Sequence, residues 1–130
     1  MAIDKQKKKE LATAYKQTFQ PMGVYQIRNV KNGKIFVDGS MDLNGTRNRL
    51  DFFKQTNLNS ITELQQDWNT YGGNSFIFEV LDRIKPREEI LIDVLELKVY
   101  RGEVDTLLDL WLEKLQPFGD KGYNRPKRKR

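Results

Sequence analysis

Residues 23–40, GVYQIRNVKNGKIFVDGS, decide how the rest of the chain is read. Over residues 23–30, Val24, Gln26 and Arg28 alternate with Tyr25, Ile27 and Asn29, the period-two pattern of a strand with two distinct faces. Asn32-Gly33 is a two-residue hairpin signal in which both central residues take positive φ. Lys34 to Asp38 then returns as a second strand. A lone hairpin is marginal in water, so its apolar faces require covering elements. The stretch also carries tyrosine, aspartate and glycine where a purely structural hairpin needs none, which marks it as one wall of a candidate site.

Working outward, Leu11, Ala12, Tyr15 and Phe19 recur at helical spacing, with lysines on the opposite face, and predict a helix over 4–19 that Pro21 stops. Downstream, Ser40 or Asp42 caps a helix running to about Thr56. Ser60-Ile61-Thr62-Glu63 is a capping box for another helix, which turns Leu64, Trp68 and Tyr71 inward and ends at Gly72-Gly73. Phe76 to Leu81 is a third strand, rich in aromatic and β-branched residues. Pro86, with Glu88 and Glu89 behind it, opens a helical region carrying Ile90, Leu91, Val94 and Leu95 and then Leu107, Leu108, Trp111, Leu112 and Leu115. Gly102 is expected to divide that region into two helices. Residues 117–126, PFGDKGYNRP, read as a loop. The fold class is α/β in the broad sense (α+β): a small, three-stranded, largely antiparallel sheet covered by helices, with an extra helix in front.

Composition removes several chemistries. The chain has no cysteine and no histidine, which excludes disulfides, thiolate metal sites and the commonest general base. A metal here must be held by oxygen, which favours Mg²⁺-like ions. No apolar leader precedes the domain and no run spans a bilayer, so a cytoplasmic location is expected. Charge is uneven. Residues 1–10 carry four lysines against two carboxylates, and residues 121–130 carry six cations. Since the whole chain is +5, residues 11–120 carry a net −3. Three segments follow: a basic amphipathic helix over 1–21, a domain over 22–124, and a basic tail over 125–130. The ending RPKRKR has the composition of an arm that tracks phosphates, or of a solubilising tail.

Gly23-Val24-Tyr25, then Asn32-Gly33-Lys34, then Phe36-Val37-Asp38-Gly39-Ser40 resemble the opening of the GIY-YIG nuclease family. The order persists downstream in Leu64-Gln65, Trp68, Tyr71-Gly72, Phe76, Phe78-Glu79-Val80-Leu81, Trp111 and Gly122-Tyr123-Asn124. The resemblance covers roughly residues 22 to 124 and implies metal-dependent hydrolysis of nucleic-acid phosphodiesters. In that chemistry a tyrosine near the attacking water helps remove its proton, provided its phenol is made unusually acidic. A glutamate holds one divalent ion, an arginine forks onto the phosphate, and a late asparagine supports the site.

Carried over residue by residue, the resemblance places Tyr25 at the first tyrosine, Phe36 at the second and Asp38 at a glycine. Thr46 stands at the arginine, with Arg47 and Arg49 flanking it; Arg49 lies one turn along the same face. Leu50 stands where many members have a histidine, and Leu108 at the metal-binding glutamate, beside Asp109. Asn124 matches the late asparagine. The candidate catalytic residues are therefore Tyr25, Arg49 and Asn124, and the candidate metal ligands are Asp109 and Asp38, for Mg²⁺ or Mn²⁺ if the protein is active. The candidate nucleic-acid contacts are Lys34, Arg47, Arg125, Lys127, Arg128, Lys129 and Arg130.

Loss of one preorganised donor typically lowers a rate by about 10²–10³, and losses within one catalytic unit are not additive, so any one disables it. The expected function is nucleic-acid binding, to DNA, on a GIY-YIG nuclease scaffold whose cleavage is weak or lost. Two other readings stay open: an endonuclease with a migrated site using Tyr25, Arg49 and Asp109 or Asp38, and a scaffold that contacts another protein.

Overall fold

The computed structural model of the chain describes residues 21–57, 61–84 and 94–126. The expected helix over 4–19, the Ser60 cap, the Pro86 helix start and Lys127 to Arg130 lie outside these residues. Strand β1, Met22–Asn29, is the centre of an antiparallel sheet of order β2-β1-β3, with β2 at Ile35–Ser40 and β3 at Phe76–Ile84.

The β1–β2 register runs without interruption from Gly23 opposite Ser40 to Arg28 opposite Ile35. The β1–β3 register shifts between Val24 and Tyr25, because Tyr25 pairs with Val80 and Val24 with Asp82, leaving Leu81 as the extra residue. The hairpin turn is longer than its sequence signal. Among Asn32 and Gly33 only Gly33 has positive φ, at 77°, and its N–H donates to Asn29 O at 2.8 Å. The loop is a four-residue helical turn closed by one left-handed glycine. Asn32 is held instead by its own side chain, whose Oδ1 accepts from Lys34 N at 3.0 Å.

Helix α1, Leu43–Thr56, starts at Asp42, whose carboxylate accepts from Gly45 N at 2.9 Å. After it, a single 3-10 turn at Thr62–Leu64 leads into the short helix α2, Gln65–Tyr71, stopped at Gly72. Leu64 and Trp68 point inward as expected, but Tyr71, the last residue of α2 before Gly72, is exposed. Helix α3, Val94–Leu115, passes unbroken through Gly102. The roughly 1 kcal/mol that glycine costs in a helix is offset by the burial of Tyr100 and Val104 on either side of it.

The sheet is covered on both faces. On one, Tyr25, Ile27 and Phe76 pack with Leu43 and Leu50 of α1 and with Leu64 and Trp68. On the other, Met22 packs with Tyr100 and Val104 of α3, joined by Met41 and Ile84. Alternation in β1 thus sends Tyr25 toward α1 and Val24 toward α3. Among the described residues, no helix is long and apolar enough to cross a membrane.

Candidate active site

A cleft of about 180 Å³ opens between the hairpin and α1. Tyr25 and Ile27 of β1 form its floor, Phe36 and Asp38 of β2 one side, and Thr46, Arg49, Leu50 and Phe53 of α1 the other, with Ile61 closing the end. Strand periodicity puts Phe36 and Asp38 on the same face, and the register sets Asp38 directly opposite Tyr25. Helical periodicity puts Thr46, Arg49, Leu50 and Phe53 on one face of α1. Three of the candidates, Tyr25, Arg49 and Asp38, therefore meet in one place, although 13 residues separate the first from the last of the strand pair.

Their electrostatics hold the proton on the Tyr25 phenol. Tyr25 is 6% exposed and stacked on Phe78, with ring centroids 5.0 Å apart. Burial first, and then the negative charge of Asp38, push its phenol well above the ordinary tyrosine range, with Arg49 opposing them weakly. A base that must give up its own proton near neutrality needs the opposite shift. Burial also raises the carboxyl of Asp38. The Gly39 N–H, donating to Asp38 Oδ1 at 2.8 Å, and the guanidinium of Arg101 pull it down, while Asp105 and Glu63 push it up again.

The other candidates are placed as follows. Asn124 does not enter the cleft. Its Oδ1 accepts from Val37 N at 2.8 Å and its Nδ2 donates to Val37 O at 2.7 Å, so the side chain pairs with the outer edge of β2 between Phe36 and Asp38. It is a positioning residue. The neighbouring residues complete this clamp. Tyr123 N donates to Ile35 O at 2.8 Å, and the Tyr123 hydroxyl donates to Asp67 Oδ2 at 2.6 Å while accepting from Asn29 Nδ2 at 3.1 Å. Gly122 lies so close to β2 that a Cβ there would meet Ile35 O at 2.4 Å.

Arg47 lies with its guanidinium 5.1 Å from the centre of the Phe78 ring. Lys34 Nζ lies 5.7 Å from the Tyr123 ring, and Arg125 pairs with Glu63 at 3.8 Å. Lys127, Arg128, Lys129 and Arg130 are outside the described residues. Asp109 borders a different depression, with Leu112, Glu113, Gln116, Phe118 and Pro126, and is not brought to Tyr25.

A divalent ion of the kind the resemblance implies requires converging oxygen donors. Leu108, at the position of the implied glutamate, packs with Val104 over Gly39, its Cδ2 3.8 Å from where a Cβ on Gly39 would stand. Glu79 is already engaged by Arg28 at 2.7 Å and Gln26 at 3.0 Å, which hold its carboxyl below the usual range. Among the described residues no three acidic side chains converge to hold a metal. The described residues do not fit the ion.

Sequence reading passed over Asp105, Glu63 and Arg101, whose charges reach Asp38. Asp105 was accessible in principle, because it lies three residues before Leu108 and so on the same helical face. Glu63 and Arg101 come from distant parts of the chain, and only the fold brings them to the edge of β2.

The three-stranded antiparallel sheet and its helices match the fold of the GIY-YIG catalytic domain. Two solved structures carry that likeness. The chain is similar to a mutant form of the catalytic domain of intron endonuclease I-TevI, with TM-score 0.58 and 25% identity, over 81% of this chain and 93% of that one. It is similar also to the catalytic domain of homing endonuclease I-TevI, with TM-score 0.58 and 24% identity, over 82% of this chain and 99% of that one. No family model matches the sequence, and the search of curated proteins gave no match.

Proposed function

We propose that the chain binds nucleic acid, DNA in the first instance, on a GIY-YIG nuclease scaffold whose own phosphodiester cleavage is weak or lost. The carrying observation is Leu108, an alkyl side chain packed over Gly39 where the resemblance calls for a metal-holding carboxylate. The cleft keeps a cation in Arg49, a group that holds a phosphate. Its 180 Å³ is below the roughly 300–1,000 Å³ of sites that engulf a small molecule. A backbone phosphate and part of its sugar suit that size better than a whole free nucleotide. The basic tail over 125–130 supplies sequence-independent attraction.

The test combines salt-dependent DNA binding with plasmid nicking in Mg²⁺ or Mn²⁺. The expected result is salt-sensitive binding with little or no nicking. Removing residues 125–130 takes away five cations and should flatten the plot of log affinity against log salt by up to about 4 units of slope. An unchanged slope and affinity would defeat the proposal. The endonuclease with a migrated site is favoured by one observation, Asp38 beside Tyr25 on the paired strand, both lining the cleft. Robust nicking that disappears in both Tyr25→Phe and Asp38→Asn would establish it instead.

A further inference from the structure

Helix α1 differs in charge from the stretch it belongs to. Over Leu43–Thr56 the three cations Arg47, Arg49 and Lys54 stand against the one carboxylate Asp51, a net +2, whereas residues 11–120 as a whole are −3. Two rings accompany these cations. Phe53 lines the cleft and packs against the core, while Phe52 stands outside the cleft with 55% of its surface exposed among the described residues. Their ring centroids are 6.3 Å apart, so an aromatic edge runs from the cleft wall out to the helix surface. Arg49 precedes the two rings by three and four residues, one turn away. At about 100° per residue it also lies between them around the helix axis. Arg47 is turned to the Phe78 ring, 5.1 Å from its centre, so Arg49 is the cation that shares a surface with Phe52.

We propose that Arg49 and Phe52 together bind one nucleotide of a single strand, the phosphate on the guanidinium and an unpaired base stacked on the Phe52 ring. This rests on the nucleic-acid-binding reading above and narrows it to a class of substrate. A single exposed apolar side chain is ordinary on a protein surface. A flat exposed ring one turn from a cleft arginine is a more specific pairing, because single strands are held by cations along the backbone and by rings against the bases. The preference for a single strand follows from what the ring can reach. In a duplex each base has a stacked neighbour on both faces, so a protein ring meets one only after the stack is opened, at a cost in free energy. In a single strand that face is free. Every base has such a face, so the contact tolerates any sequence.

The full chain is titrated against three labelled probes of one sequence, read by fluorescence anisotropy. They are a DNA single strand, the same strand annealed into a duplex, and the same strand with abasic sites, which keeps the phosphates and lacks the bases. The expected order has the intact single strand bound most tightly. Phe52→Ala should weaken that binding by about 5-fold or more and leave the duplex and the abasic strand unaffected. Its salt slope should match the parent's, since no cation is lost. Phe52→Trp should keep the affinity, and the emission of its added indole should be quenched by the intact strand but not by the abasic one. Equal affinity for intact and abasic strands, or a Phe52→Ala loss that is nil or equal on strand and duplex, would overturn the inference while leaving nucleic-acid binding standing. Failure to bind any of the three probes would overturn the underlying reading together with it.

Discussion

Asn124 closes its side-chain amide on both main-chain groups of Val37, accepting at 2.8 Å and donating at 2.7 Å. One polar side chain from the end of the domain thereby acts as a short extra strand beside β2, the edge of the sheet. Val37 lies between Phe36 and Asp38, so the same two bonds fix the orientation of one wall of the cleft.

Asn124→Ala should therefore destabilise the domain by about 1–3 kcal/mol, the usual contribution of two hydrogen bonds. Denaturant unfolding measures it. DNA affinity should fall alongside, since Asp38 and Phe36 lose their restraint. A variant as stable as the parent would remove Asn124 from its positioning role.

Gly122→Ala tests the same clamp by crowding. A Cβ at 122 would meet Ile35 O at 2.4 Å and Pro117 O at 2.5 Å, both main-chain atoms that cannot rotate away. The expected loss is about 1–3 kcal/mol, the range for overpacking, seen as a lower denaturant midpoint with an unchanged m-value.

Asp38→Asn should stabilise the protein at neutral pH. Folding raises the Asp38 carboxyl, chiefly by burial, so the folded state binds its proton more tightly than the unfolded chain does. That favours folding below the ordinary aspartate value of about 3.9 and is lost as pH rises through the raised folded value. Asparagine keeps the acceptor for Gly39 N–H without the charge. The gain in Tm over the parent should be largest near pH 7 and should vanish at acid pH. A gain independent of pH would mean that ionisation of Asp38 is not its source.

Arg49→Ala should weaken DNA binding and reduce the salt slope by about 0.9, the value for one phosphate contact. Thr46→Arg should do the reverse, because it adds a cation to the same cleft wall, at the expense of the 2.8 Å bond between Thr46 Oγ1 and Ser40 Oγ. Fluorescence anisotropy at several salt concentrations reads both. Equal slopes for the parent and both variants would show that the cleft does not meet the phosphate backbone.

The sequence by itself determined the elements that rest on short-range chemistry. The alternation around Tyr25, the Asp42 cap, the stop at Gly72 and the aromatic strand at Phe76 were all legible, because period, capping and turn preferences act within a few residues. The substitutions at Phe36, Thr46 and Leu108 were also visible there, as departures from a motif. Local chemistry misled at Gly102, where two buried neighbours outweigh a helix-weakening residue, and at Asn32, where a side-chain bond replaces a left-handed backbone. Only the tertiary structure decided that Tyr25, Asp38 and Arg49 share a cleft, that Asp109 does not, and that Asn124 serves the edge of β2 rather than the cleft. Such meetings depend on strand register and on which sheet face each helix covers. Both are fixed by burial summed over the whole core, a quantity that no short stretch of residues contains.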